Sequence, residues 1–201
     1  MFAAIVLAGG KSRRLGRDKA SEALLGIALW DRVISRFAGV VDEYIVVRAR
    51  GQVLPAVSRH DLTIVDDLYP ETGPLGGMYT GLATARSPQG FVVACDMPLL
   101  QRPLITELLR LAPEYDLVVP VSEEFTQPLC AVYSKACLEP MRRQLESGAL
   151  KVTGFFQYLM PRYVLPDEWR TFDPDGLSFQ NLNCEEDLER VKGLLVNEAV
   201  R

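Results

Sequence analysis

Leu7-Ala8-Gly9-Gly10-Lys11-Ser12-Arg13-Arg14-Leu15-Gly16-Arg17-Asp18-Lys19 follows an uncharged apolar run from Met1. Adjacent glycines let a backbone turn sharply and present successive N–H groups to an anion. Lys11, Arg13, Arg14, Arg17 and Lys19 add positive charge around them, so a triphosphate is the natural ligand. Two commoner phosphate loops fail on spacing. Ile5 stands where a Walker A loop needs its first glycine, and Gly9-Gly10 lacks the G-x-G-x-x-G interval of a dinucleotide fold. A basic, glycine-containing surface loop is the plainer alternative.

Further along, acids recur where apolar runs end. Asp66 and Asp67 follow Leu62 to Val65, and a carboxylate there can accept from the N1–H and amino group of a guanine. A strand-ending or turn aspartate is the ordinary reading of the same residues. Asp96 closes the apolar stretch Phe91 to Cys95 and is followed by Met97-Pro98, which makes it the candidate Mg²⁺ ligand. Mg²⁺ typically takes one or two carboxylates and fills its octahedron with phosphate oxygens and water. Thr72-Gly73-Pro74-Leu75-Gly76-Gly77 precedes a helical pattern, and its glycines, Gly73 and Gly77 among them, would let a base or ribose approach the backbone. In Asn181-Leu182-Asn183-Cys184-Glu185-Glu186, Asn183 and Glu186 have capping-box spacing, while Asn181 is left over for a ligand or the waters of a metal.

These stretches need a scaffold that brings strand ends together. Ala3 to Leu7, Tyr44 to Val47, Leu62 to Val65, Phe91 to Ala94 and Leu117 to Val121 read as strands. Leu29 to Ala38, Leu75 to Ala85 and Pro103 to Leu111 read as helices with a period of about 3.6. The alternation predicts a doubly wound α/β fold whose site lies outside the carboxyl ends of the strands. After Pro128, Leu129 to Tyr133 and Tyr163 to Leu165 read as strands, Ala136 to Leu145 as a helix, Val152 to Tyr158 as a short helix or turn, and Pro166 to Gly176 as a loop. The C-terminal third is expected to extend the same sheet and close one side of the site, within one domain spanning 1–201.

Composition narrows the classes. A net charge of -4 argues against general nucleic-acid binding, so the cationic cluster is local. Cys95, Cys130, Cys137 and Cys184 have no C-x-x-C spacing and suit reduced thiols in the cytoplasm. With His60 the single histidine, a histidine triad or a His/Cys zinc site is not expected. No apolar run reaches the roughly 18 residues of a membrane span, and no leader pattern is seen at Met1.

Taken in order, Leu7 to Gly10, Ser12 to Gly16, Asp18-Lys19, Gly73-Pro74-Leu75, Cys95 to Pro98 and Asn181 to Asn183 together resemble the molybdenum cofactor guanylyltransferases, the molybdopterin-guanine dinucleotide biosynthesis protein A family. The resemblance implies a three-layer, mostly parallel, Rossmann-like nucleotidyltransferase (glycosyltransferase-A-like) fold. It implies transfer of GMP from GTP to molybdopterin with release of pyrophosphate. Leu7, Ala8 and Gly9 would touch the nucleotide, Lys19 the phosphates, Asp66 the guanine and Asp96 the Mg²⁺; on charge alone, Arg14 is a second candidate cation for the phosphates. Gly10, Gly73, Gly77, Asn181 and Asn183 complete the candidate set. The implied partners are GTP, the molybdenum cofactor and transient cofactor-supplying and cofactor-receiving proteins, with a monomer expected. Gly9, where related cytidylyltransferases tend to have alanine, favours guanine. Two features depart from the family: Arg48 stands where an asparagine near the base is expected, and the loop between Gly16 and Asp18 is a single residue. A relative using CTP or a sugar phosphate, and a non-catalytic GTP-binding module, are the alternatives.

Overall fold

The computed structural model describes residues 1–9, 23–55, 61–123 and 125–200. The expectations placed on Gly10, Arg14, Lys19 and His60 lie outside the described residues. In chain order the first half contains β1 (Phe2–Leu7), a small hairpin of β2 (Ala23–Leu24) and β3 (Ile27–Ala28), α1 (Leu29–Ser35), β4 (Glu43–Arg48), β5 (Leu62–Asp66), α2 (Pro74–Thr84) and β6 (Gln89–Ala94). There follow α3 (Arg102–Leu111), β7 (Leu117–Ser122), β8 (Phe125–Thr126), β9 (Cys130–Ser134), α4 (Leu138–Glu146), β10 (Pro161–Val164), α5 (Pro166–Trp169) and α6 (Glu185–Val200).

The main sheet runs β10-β7-β9-β6-β1-β4-β5, with β8 paired to the end of β7. β5, β4, β1 and β6 are mutually parallel, as are β7 and β10, whereas β9 runs antiparallel to both β6 and β7. The doubly wound, mostly parallel sheet expected from the alternation is therefore present, with the C-terminal third built onto it. β9 matters for the site because its amino end lies at the same sheet edge as the carboxyl ends of β1, β4, β5 and β6.

Period-two alternation splits the central strands between two cores. Ala4, Val6, Tyr44, Val46, Phe91 and Val93 pack with Trp30 and Val33 of α1, Phe37 just beyond it, and Leu104 and Leu108 of α3. Ala3, Ile5, Leu7, Ile45, Val47 and Val92 face Leu75, Met78 and Leu82 of α2, together with Met141, Phe155 and Phe156. Both faces of β1 are thus buried, which is why it reads as an unbroken apolar run. Gly81 and Gly90 grip Ile5: a Cβ on Gly81 would come 2.2 Å from Ile5 Cγ2, and one on Gly90 would come 2.5 Å from Ile5 Cδ1. Helix α2 can then lie close against the sheet.

Three details differ from the sequence reading. Pro166 to Trp169 form a short helix where a loop is expected, with Pro166 supplying the first-turn φ and Trp169 buried. The start of α6 is shifted by one residue from the predicted cap. Asp187 Oδ2, not Glu186, accepts the N–H groups of Asn183 (2.9 Å) and Cys184 (3.2 Å). The β2–β3 hairpin has no counterpart in the apolar pattern, because its turn places Leu25 as well as Gly26 at positive φ. Cys95, Cys130 and Cys137 are buried free thiols and Cys184 is exposed. Among the described residues no helix is long and apolar enough to cross a membrane.

Candidate active site

A cleft of about 410 Å³ opens at the edge where β1, β4, β5 and β6 end and β9 begins. Leu7, Ala8 and Gly9 lie at its middle. Val47, Arg48, Asp67, Gly73, Pro74 and Gly77 form one half, and Cys95, Asp96, Met97, Gln127, Pro128 and Asn181 the other. Most of the expected site residues within the described chain therefore share one wall. Asp66 and Asn183 do not line it.

The middle is held by backbone geometry. The N–H groups of Ala8 and Gly9 both donate to Val47 O, at 2.8 and 3.2 Å. They are accordingly not the anion donors that the glycine pair suggests. Gly9 instead allows a close crossing of two loops: a Cβ there would lie 2.9 Å from the backbone nitrogen of Ala49. Gln52 ties the same loops together, donating to Ala8 O at 3.1 Å and accepting from Ala49 N–H at 2.9 Å. Opposite them α2 begins at Gly73, whose φ of 67 suits glycine, with Pro74 in its first turn. Gly77 is buried in the cleft wall, where a Cβ would press on Leu7 Cδ2 at 3.3 Å.

On the β4/β5 side the charges are arranged in an order that spacing alone does not reveal. Arg48 and Asp66 are cross-strand partners in register, and Arg48 Nε donates to Asp66 Oδ1 at 2.8 Å. Asp66 is 42% exposed and sits behind the arginine. Asp67, the next residue, faces the cleft. Its Oδ1 accepts from Tyr69 N–H (2.9 Å) and the Thr80 hydroxyl (3.0 Å), and its own N–H donates to Arg48 O (2.8 Å). Burial pushes the Asp67 carboxyl above its ordinary value, and those two hydrogen bonds oppose the shift.

On the other side Asp96 is half-buried just beyond β6, and its backbone oxygen accepts from Leu182 N–H at 2.9 Å. That bond draws the segment bearing Asn181 over the strand end. Gln127 and Pro128 enter the wall because β9 is antiparallel, a direction that its apolar pattern does not encode. A strand-end carboxylate beside a phosphate-sized cleft suits a hard, oxygen-seeking cation. Among the described residues there is no group of three or more His, Cys, Asp or Glu side chains that could hold a metal.

With this geometry in view, residues 4–158 match the family described as the MobA-like NTP transferase domain. The chain belongs to that family. It is 34% identical over 193 residues to the molybdenum cofactor guanylyltransferase of Desulfosudis oleivorans, covering 95% of this chain and 94% of that one. It is 36% identical over 200 residues to the probable molybdenum cofactor guanylyltransferase of Methanosarcina mazei, covering 94% and 89%. Among solved structures, molybdopterin-guanine dinucleotide biosynthesis protein A from Archaeoglobus fulgidus superimposes with a TM-score of 0.84 at 24% identity, over 97% of this chain and 99% of that one. The 2-C-methyl-D-erythritol 4-phosphate cytidylyltransferase of Thermus thermophilus gives 0.74 at 17% identity, over 96% and 98%. The same fold is thus shared with a protein named for another base and acceptor.

Proposed function

We propose that the protein transfers GMP from GTP to molybdopterin, releasing pyrophosphate and forming molybdopterin guanine dinucleotide. The observation that supports this most is the arrangement of the cleft, which has a loop crossing at Gly9 in the middle, an acid on one side and a charged, partly apolar slot on the other. The guanylyltransferase names of relatives matched over nearly the whole chain point the same way. The base occupies the slot formed by Val47, Pro74 and Gly77, near Arg48 and its partner Asp66. The phosphates cross Gly9 towards Asp96, with Gly10, Arg14 and Lys19 assigned to them from the sequence. The acceptor approaches from the side of Gln127, Pro128 and Asn181.

No catalytic base is needed. A phosphomonoester has its second pKa at about 6, so the acceptor is already largely a dianionic nucleophile at neutral pH. The obstacle is repulsion between that dianion and a triphosphate. Lys19 and Arg14 would offset the charge, and the cleft would align the attack. Asp96 would hold a Mg²⁺ ion, whose chemistry is to screen the α-phosphate and the departing pyrophosphate.

Titrating GTP, CTP, UTP and ATP with Mg²⁺ by calorimetry, followed by pyrophosphate release in the presence of molybdopterin, tests the reading. GTP should bind in preference to the others and turn over. Preference for CTP would overturn the guanine assignment, and GTP binding without pyrophosphate release would overturn the transferase assignment.

A further inference from the structure

Asn181 lines the cleft from a stretch without regular structure, so its neighbours must set its position. Burial alternates there: Asn181 and Asn183 are exposed, and Leu182 between them is 2% exposed. An extended chain points successive side chains to opposite sides, so a seat for Leu182 fixes the side on which Asn181 emerges. That seat is an apolar cluster of Leu24, Leu29, Leu99, Leu182, Val191 and Leu195. With the partly buried Leu188, Val191 and Leu195 repeat at helical spacing and make one face of α6. Leu99 lies three residues past Asp96, so the cluster joins the segments bearing Asp96 and Asn181 to α6. Polar contacts repeat the link. Leu182 N–H donates to Asp96 O at 2.9 Å. Arg190 of α6 donates to Gln180 Oε1 at 2.8 Å and to Asp187 Oδ1 at 3.2 Å, while Asp187 Oδ2 accepts from Asn183 N–H at 2.9 Å. Residues on both sides of Asn181 are therefore tied to α6. Exposed ion pairs contribute little, so the hold rests on the buried apolar side chains.

We infer that α6 is a positioning element for the reaction: Val191 and Leu195 seat Leu182, and Leu182 holds the Asn181 segment against Asp96. What Asn181 and Asp96 then do rests on the guanylyltransferase reading; the seat itself does not. Among the described residues, none of α6 lines the cleft. Its influence must pass through Leu182, whose side chain is in the cluster and whose N–H is on Asp96. Truncating a buried side chain leaves a cavity into which the neighbours relax only partly. The loosening should therefore appear at the Leu182 amide and on the Asp96 side of the cleft. β4 and α2, on the other side, are packed in two separate clusters.

The experiment combines amide hydrogen exchange followed by NMR with calorimetric titration of GTP, with and without Mg²⁺. It compares the wild type with Val191→Ala, Leu195→Ala, Leu195→Met and, as a control from the core beneath α2, Met141→Ala. In Val191→Ala the Leu182 amide should exchange about tenfold faster than in the wild type, the equivalent of one weakened hydrogen bond. Affinity for GTP with Mg²⁺ should fall by about tenfold too, while affinity without Mg²⁺ stays near the wild-type value. Leu195→Ala should behave alike, and it decides the matter if the Val191 variant folds poorly. Leu195→Met, close in volume, should keep both wild-type values. Met141→Ala should lower Tm without either change. Unaltered Leu182 exchange in both alanine variants overturns the seat. Faster exchange with unchanged affinity for GTP and Mg²⁺ overturns the positioning role. An equal loss without Mg²⁺, or an equal loss in Met141→Ala, overturns it as well, because general loosening then accounts for the effect. A wild type that binds no GTP overturns the guanylyltransferase reading, while the exchange measurement still decides the seat.

Discussion

Two single residues carry the sharpest tests of the chemistry and of its support. Asp96→Ala should lower the rate of pyrophosphate release by about two to three orders of magnitude, the range seen when one preorganised charge stabiliser is lost. Lys19→Ala should do the same through loss of a cation that offsets phosphate charge. Turnover near the wild-type rate in a folded Asp96→Ala protein would remove that carboxylate from the mechanism. Gly9 is different, since its role is to let two backbones cross. A methyl group 2.9 Å from Ala49 N cannot be relieved by a rotamer change on the neighbour, so Gly9→Ala must displace a loop. It should weaken GTP binding and lower Tm together, and unchanged values of both would mean that the crossing has no functional weight. The sequence announces Gly9 through its glycine neighbour and Asp96 through its strand-end position. The Arg48–Asp66 pair is not announced, because eighteen residues separate the partners and only the register of β4 on β5 brings them together.

At the scale of elements, strands buried on both faces were the most legible part, since their composition is nearly uniform and turn residues bracket them. The edge strand β5 is more exposed and was legible mainly from its β-branched residues. Strand direction is not legible, so Gln127 reads as an acceptor contact only by its location, alongside Arg102 and Lys151 that do not line the cleft, and Pro128 does not read as a site residue at all. The joint between β4 and α2 offers a pH test. At the start of β4 the Glu43 carboxylate, 9% exposed, accepts from Arg86 N–H (2.9 Å), Ser87 N–H (2.7 Å) and the Ser87 hydroxyl (2.8 Å). Burial by itself pushes this carboxyl up. The Arg86 and Ser87 donors and the Arg86 charge outweigh it and leave the group below its ordinary value of 4.5. The unfolded chain therefore takes up a proton first as the pH falls. The stability that Glu43 contributes is full above about 4.5 and is lost as the pH drops through the lower, folded value. Glu43→Gln should cost about 1–3 kcal/mol at neutral pH by leaving donors poorly matched. Its stability should also fall less steeply than that of the wild type in the acid range. Urea midpoints measured from neutral to acid pH would show this, and parallel curves for the two proteins would refute the assignment.

Across the whole molecule, the cleft spans the strand ends on both sides of β1, which pairs with β4 on one side and β6 on the other. β4, β5 and the start of α2 lie on one side, and the ends of β6 and the beginning of β9 on the other. A nucleotide whose base sits by Arg48 and whose phosphates reach Asp96 would bridge them, so it should stabilise the folded chain as a unit. Ligand present at about one hundred times its Kd adds about 2.7 kcal/mol to the native state. For a chain of this size, each kcal/mol raises Tm by about 2–4 °C, so GTP with Mg²⁺ should raise it by about 5–11 °C. GTP without Mg²⁺ should give a smaller shift at equal concentration, because the phosphate end would meet the Asp96 carboxylate without a cation between them. Guanosine alone should give less still, since it reaches only the β4/β5 half. Differential scanning calorimetry of the three conditions distinguishes a bridging ligand from one bound at a single end. Equal shifts for guanosine and for GTP with Mg²⁺ would mean that the phosphates gain nothing from the Asp96 side, and the proposed path of the nucleotide along the sheet edge would fail.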